Sequence, residues 1–130
     1  MLSQTIINEL INKAKSAMSN SYSPYSKFAV GSVLLTEDEK IFTGCNVENA
    51  SFGATVCAER VALFNAISKG EKNFKAIAII SSSDDFCTPC GICRQCLIEF
   101  SKDMLVICCN NKGEYKLHKI NELLPSSFLF

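Results

Sequence analysis

Two nearly unbroken apolar runs, KAIAIIS at 75–81 and MLVICC at 104–109, constrain the fold most strongly. Neither presents a polar face, as expected for strands covered on both sides. Such strands need helices above and below their sheet. The sequence between and around them supplies those helices.

Leu2, Ile6, Ile7, Leu10, Ile11, Ala14, Ala17 and Met18 recur every three or four residues, which predicts a helix over about 3–18 with one apolar stripe. SNSYSPYSK then reads as an irregular loop. FAVGSVLLT and KIFTGCNVE, separated by the charged turn Glu37, Asp38 and Glu39, predict hairpin strands over 28–36 and 40–47. A second helix is expected from Thr55 to Ser68, with Gly70 just past its end, and a third starting near Pro89. EYKLH supplies a last strand. The order αββαβαβ, with that possible last strand, describes an α/β protein: a mixed sheet with helices on both faces, in one domain over residues 1–130.

At 130 residues the chain buries roughly two-thirds of its unfolded surface and needs no covalent staples. Lys and Arg number 13 against 13 Asp and Glu, and no run of like charge forms a basic stripe, which disfavours nucleic-acid polymers as partners. No apolar run reaches the length of a membrane span. The N-terminal segment breaks its apolar residues with Gln, Asn and Glu, unlike a secretory signal. A cytoplasmic location is therefore expected, where thiols stay reduced. Eight cysteines in such a chain call for metal binding or catalysis before disulfides.

Cys57 opens one predicted helix, and Cys90 and Cys93 open another. Free backbone N–H groups at a helix start favour thiolate over thiol. The PCxxC spacing lets two sulfurs converge on one tetrahedral ion, and a third thiolate leaves one corner open, the mark of a catalytic zinc site. Glu59 lies close enough to reach a water at that corner and accept its proton. Three thiolates on Zn²⁺ carry a net negative charge, which a guanidinium at Arg60 would offset.

Plainer readings stand beside these. A lone CxxC pair is weak evidence for metal, and Cys45, Cys96, Cys108 and Cys109 read as core or interface residues. Cys87, Cys90, Cys93 and Cys96 fall at every third position and approach the opening of an iron–sulfur motif. That reading leaves Cys57 and Glu59 without a purpose. A non-catalytic zinc-stabilised module would need a fourth ligand, for which Cys87 is nearest. Alone, Asn46 and Glu48 read as strand-end turn residues, and Phe28 as a core aromatic. His118, the sole histidine, is expected to face solvent.

YSPYSKFAVG at 22–31, GCNVENASFG at 44–53, CAERVALFNAIS at 57–68 and PCGICRQ at 89–95 together resemble the small three-cysteine cytidine deaminases. The resemblance runs through nearly the whole chain. It implies a three-layer α/β/α sandwich around a five-stranded mixed sheet, a homotetramer, and one Zn²⁺ per chain held by Cys57, Cys90 and Cys93. Glu59 takes the proton-shuttle position and Arg60 that of the arginine bonding the zinc thiolates.

Carried over in the same way, Phe28, Asn46, Glu48 and Ala58 are the expected substrate-binding residues. Asn46 and Glu48 fall at the ribose and Phe28 against the pyrimidine. Ala50 and Phe52 lie in a segment lent across a subunit interface, and Phe128 resembles a C-terminal aromatic that closes a neighbouring subunit's site. The implied activity is hydrolytic deamination of cytidine and deoxycytidine in pyrimidine salvage. A deaminase of cytosine-nucleoside antibiotics shares some of these elements, although NVENAS favours the ordinary ribose.

Overall fold

The computed structural model describes residues 2–130. Helix α1 (Gln4–Met18) begins where the Ser3 hydroxyl accepts the Ile6 N–H at 3.2 Å, and it turns Ile7, Leu10, Ile11 and Ala14 inward. Strands β1 (Val30–Thr36) and β2 (Ile41–Cys45) form the expected antiparallel hairpin. A 3-10 turn (Phe52–Ala54) leads into helix α2 (Ala58–Ser68), then strand β3 (Phe74–Ser81) and helix α3 (Gly91–Ile98). Strands β4 (Leu105–Cys109) and β5 (Tyr115–Lys119) and the short helix α4 (Ile120–Leu123) complete the chain.

The strands lie in the order β2-β1-β3-β4-β5, with β3 and β4 parallel and the other neighbours antiparallel. This is the expected five-stranded mixed sheet. Alternation along each strand divides the core in two. Val33, Leu35, Ala76, Ala78, Ile80, Ile107 and Cys109 pack with α1 on one face. Leu34, Ile77, Ile79, Val106 and Cys108 pack with Ala62, Leu63, Leu97 and Ile98 of α2 and α3 on the other. The molecule is thus a three-layer α/β/α sandwich. Cys108 and Cys109 are fully buried on opposite faces, as core thiols.

Several boundaries shift for identifiable reasons. Strand β1 starts at Val30 and not at Phe28, because the Asn46 side chain takes the Val30 N–H at 2.9 Å and donates to the Phe28 carbonyl at 2.7 Å. Helix α2 starts three residues later than its pattern suggests, since Cys57 is extended (φ −74°, ψ 154°) and serves as N-cap. Pro89 lies outside α3, where Cys90 is the extended N-cap (φ −67°, ψ 170°). Gly70 adopts φ +89° just beyond α2, the left-handed conformation expected of its place. Helix α4, a single turn, carries no periodic signal. His118 is half-buried opposite Val106, while Leu117 is 41% exposed, reversing the solvent-facing expectation for the histidine. The register of an edge strand decides which face each side chain takes.

Candidate metal centre

The N-termini of α2 and α3 meet at one end of the sheet and bring three sulfurs together. The Sγ atoms of Cys57, Cys90 and Cys93 all lie within 4.8 Å of one another, and Cys57 and Cys90 stand 3.7 Å apart. A tetrahedral zinc with Zn–S bonds near 2.3 Å requires an S···S edge of about 3.8 Å. The Cys57–Cys90 distance matches that edge, and Cys93 stands within reach of the same ion. Among the described residues this trio is the one such cluster, and the Cys87 sulfur is not part of it. Among the described residues a four-sulfur module lacks its fourth ligand, and of the iron–sulfur quartet only Cys90 and Cys93 fall in the cluster.

The protein also prepares one of the thiolates that zinc needs, at Cys57. A hydrogen bond from the Cys93 thiol pulls Cys57 down to about 5, with Arg60 and Cys90 assisting against the cost of burial. Cys93 is held well above the ordinary thiol range as the donor of that bond and by its burial. Arg60 donates from Nη2 to Cys57 Sγ at 3.5 Å, a charge-assisted bond that pushes the guanidinium further up from its already high ordinary value. Its Nε is buried with no hydrogen-bond partner among the described residues, so this arginine still has a donor to offer an electron-rich cluster.

Glu59 follows on the first turn of α2 and is only 4% exposed. Burial pushes its carboxyl up to about 7, and the neighbouring Cys57 thiolate adds to the effect while Arg60 opposes it. A hollow of about 180 Å³ opens over Glu59, Cys57 and Cys90, walled by Phe28, Val30, Asn46, Thr55, Val56 and Cys87. A second depression of about 300 Å³, lined by Tyr25, Ser26, Glu48, Phe52 and Thr55, adjoins it through Thr55. The first has room for a flat ring.

Comparison with known proteins agrees with this geometry. The profile described as "Cytidine and deoxycytidylate deaminase zinc-binding region" matches residues 4–109. The chain belongs to the cytidine and deoxycytidylate deaminase family. Among relatives of this deaminase domain, the cytidine deaminase of Sporosarcina psychrophila is 43% identical over 123 residues, covering 94% of this chain and 90% of that one. The probable cytidine deaminase of Dictyostelium discoideum is 42% identical over 128 residues, covering 98% and 86%. The crystal structure of cytidine deaminase from Burkholderia pseudomallei superposes with a TM-score of 0.90 at 42% identity, covering 98% of this chain and 100% of that one.

Within this deaminase fold, two expected substrate residues have a structural occupation that the sequence did not reveal. Asn46 Oδ1 accepts the Val30 N–H at 2.9 Å and the Ser21 hydroxyl. Glu48 Oε1 accepts the N–H groups of Tyr25 at 2.9 Å and Ser26 at 3.1 Å, and Oε2 takes the Ser26 hydroxyl. Both side chains thus anchor the loop that carries Phe28. The signal available was the loop itself, whose serines and free N–H groups call for acceptors.

Ala58 lines the ring-sized hollow, fully buried. Phe28 borders the same hollow and is 40% exposed. Ala50 and Phe52 lie on the surface, and the Phe52 ring meets Tyr25 edge-on with centroids 5.7 Å apart. Phe128 is 65% exposed and stacks edge-on with Phe130 at 4.9 Å, away from its own chain's hollow. Sequence reasoning missed the walls formed by Val30, Thr55 and Val56, which are ordinary apolar or β-branched residues until the fold gathers them.

Proposed function

We propose that the chain hydrolyses cytidine and deoxycytidine to uridine and deoxyuridine with release of ammonia. The observation that carries this reading is the convergence of three sulfurs beside one buried carboxyl, Glu59, at the floor of a ring-sized hollow. Zinc held by Cys57, Cys90 and Cys93 would supply a Lewis acid that makes water acidic near neutral pH.

The chain's own residues handle the protons. Glu59 accepts one proton from water and delivers it to N3 of the cytosine ring, which makes C4 electrophilic. The hydroxide left behind adds to C4, and Glu59 then carries the hydroxyl proton of that adduct to the 4-amino group, so that the C4–N bond breaks, ammonia departs and the C4 carbonyl of the uracil ring remains. An ordinary carboxyl would be a poor proton donor at pH 7. Burial, which raises the Glu59 carboxyl above the ordinary carboxylate range, favours a group that must both accept and return a proton. Arg60 offsets the thiolate charge, Ala58 and Phe28 border the base, and Asn46 and Glu48, which hold the Phe28 loop while lining the two adjoining hollows, are the proposed sugar contacts.

Further features support a homotetramer in which Ala50, Phe52 and Phe128 reach neighbouring sites. Tyr25, Phe52, Phe64, Ile92, Phe128 and Phe130 are all exposed and offer apolar surface that contact between copies of the chain would cover. The narrow hollow and the balanced charge favour a free nucleoside over a nucleic-acid polymer. Eight unpaired thiols suit the reducing cytoplasm, and pyrimidine salvage is the role that follows from the chemistry.

The test is to add cytidine to purified protein and follow ultraviolet loss together with ammonia release. Activity should disappear with a zinc chelator and return with Zn²⁺. Zinc-replete protein that leaves cytidine and deoxycytidine unchanged, or that prefers single-stranded DNA, would overturn the reading.

A further inference from the structure

The residues just after the third cysteine of the trio reach away from the hollow toward the end of the chain. Arg94 Nε donates to the carbonyl of Pro89 at 2.7 Å, and its Nη1 donates to the carbonyl of Leu123 at 2.8 Å. Gln95 Nε2 donates to the carbonyl of Phe128 at 2.8 Å. Pro89 is buried and immediately precedes Cys90, while Leu123 is the last residue of α4.

We propose that Arg94 and Gln95 are positioning residues that tie the Cys90 loop and the C-terminal segment into one body, fixing where Phe128 is presented. The geometry supports a tie and not mere surface decoration. One guanidinium spans two carbonyls that lie 34 positions apart, from Pro89 to Leu123, and these bonds are charge-assisted. The Leu123 carbonyl is one of the acceptors left open at a helix end, so α4 gains a cap from the same side chain.

Gln95 then holds the tail a second time, five residues further on. Leu123, Leu124 and Leu129 pack against the core beside these bonds, which leaves the Phe128 ring pointing outward. The segment after α4 contains no regular element that would fix it otherwise. Its consequence for substrate binding rests on the proposed role of Phe128 at a neighbouring site.

Three full-length variants test the inference: Gln95→Ala, Arg94→Ala and Phe128→Ala. Amide exchange over residues 124–130 is expected to accelerate about tenfold in the first two, with zinc content unchanged in Gln95→Ala. KM for cytidine should rise roughly fivefold in Gln95→Ala with kcat nearly constant, and combining it with Phe128→Ala should give no further rise. Arg94→Ala should also release zinc to a chelator faster, and added guanidinium should slow that release again.

Unchanged exchange in both tie variants would overturn the proposal. So would KM effects of Gln95→Ala and Phe128→Ala that multiply in the double variant. If Phe128→Ala alone leaves KM unchanged, the assignment of Phe128 to a substrate site fails, while exchange still decides whether the tie exists. Gln95 is only half-buried, so its variant carries the test even if Arg94→Ala fails to fold.

Discussion

Gly44 and Ala58 meet backbone against backbone: a Cβ on Gly44 would lie 2.5 Å from the Ala58 carbonyl oxygen and 2.5 Å from the Ala62 nitrogen. Strand β2 therefore serves as the seat on which the first turn of α2 rests, and that turn carries Cys57 and Glu59. Gly44→Ala is expected to destabilise the fold by about 1–3 kcal/mol, because backbone cannot yield as a flexible side chain would. It should also lower zinc content below one ion per chain by displacing Cys57. Denaturant midpoints and metal analysis of the same preparation check both effects.

Glu59→Gln preserves shape and removes proton transfer. Zinc content should remain at the level of the unchanged protein while kcat falls about 10²- to 10⁴-fold. Turnover close to that of the unchanged protein would remove Glu59 from the mechanism. Metal analysis alongside steady-state kinetics separates loss of the shuttle from loss of the site.

Arg60→Ala leaves the thiolate trio without its cationic neighbour, since the guanidinium bonds Cys57 at 3.5 Å. The more electron-rich site should lose its proton from water less readily, so the acidic limb of kcat/KM moves to higher pH. A limb that stays in place would show that the charge is balanced elsewhere.

Much of this arrangement is legible in the order of the amino acids. Two-sided apolar runs announce β3 and β4, and the spacing of Ile7, Leu10, Ile11 and Ala14 announces α1. Cys57 and the PCxxC pair announce the metal site because both fall at helix starts, where local pattern and chemistry coincide. The anchoring work of Asn46 and Glu48 is illegible for a physical reason. Their partners lie on a distant loop, and nothing local says which of many donors each acceptor meets. The tie made by Arg94 and Gln95 is hidden in the same way, since its acceptors are backbone carbonyls that every residue possesses.

Glu48 offers a pH test with a definite sign. Its hydrogen bond from the Ser26 hydroxyl and the N–H groups of Ser26 and Tyr25 hold the carboxyl below its ordinary value of 4.5. A depressed folded value means that Glu48 favours the ordered loop above the unfolded value, and that this support is lost as pH falls through the folded one. Tyrosine fluorescence from Tyr22 and Tyr25 should therefore change below about pH 4.5, and Glu48→Gln should show the changed signal already at neutral pH. A signal independent of both pH and this substitution would contradict the anchoring role.

X-ray absorption at the zinc edge of the metal-loaded protein tests the central claim most directly. Three sulfurs near 2.3 Å and one lighter atom, oxygen or nitrogen, replaced on adding a nucleoside inhibitor, is the result expected of an open-cornered centre. Four sulfurs, with Cys87 drawn in as the fourth, would mean a closed structural site and would contradict the account.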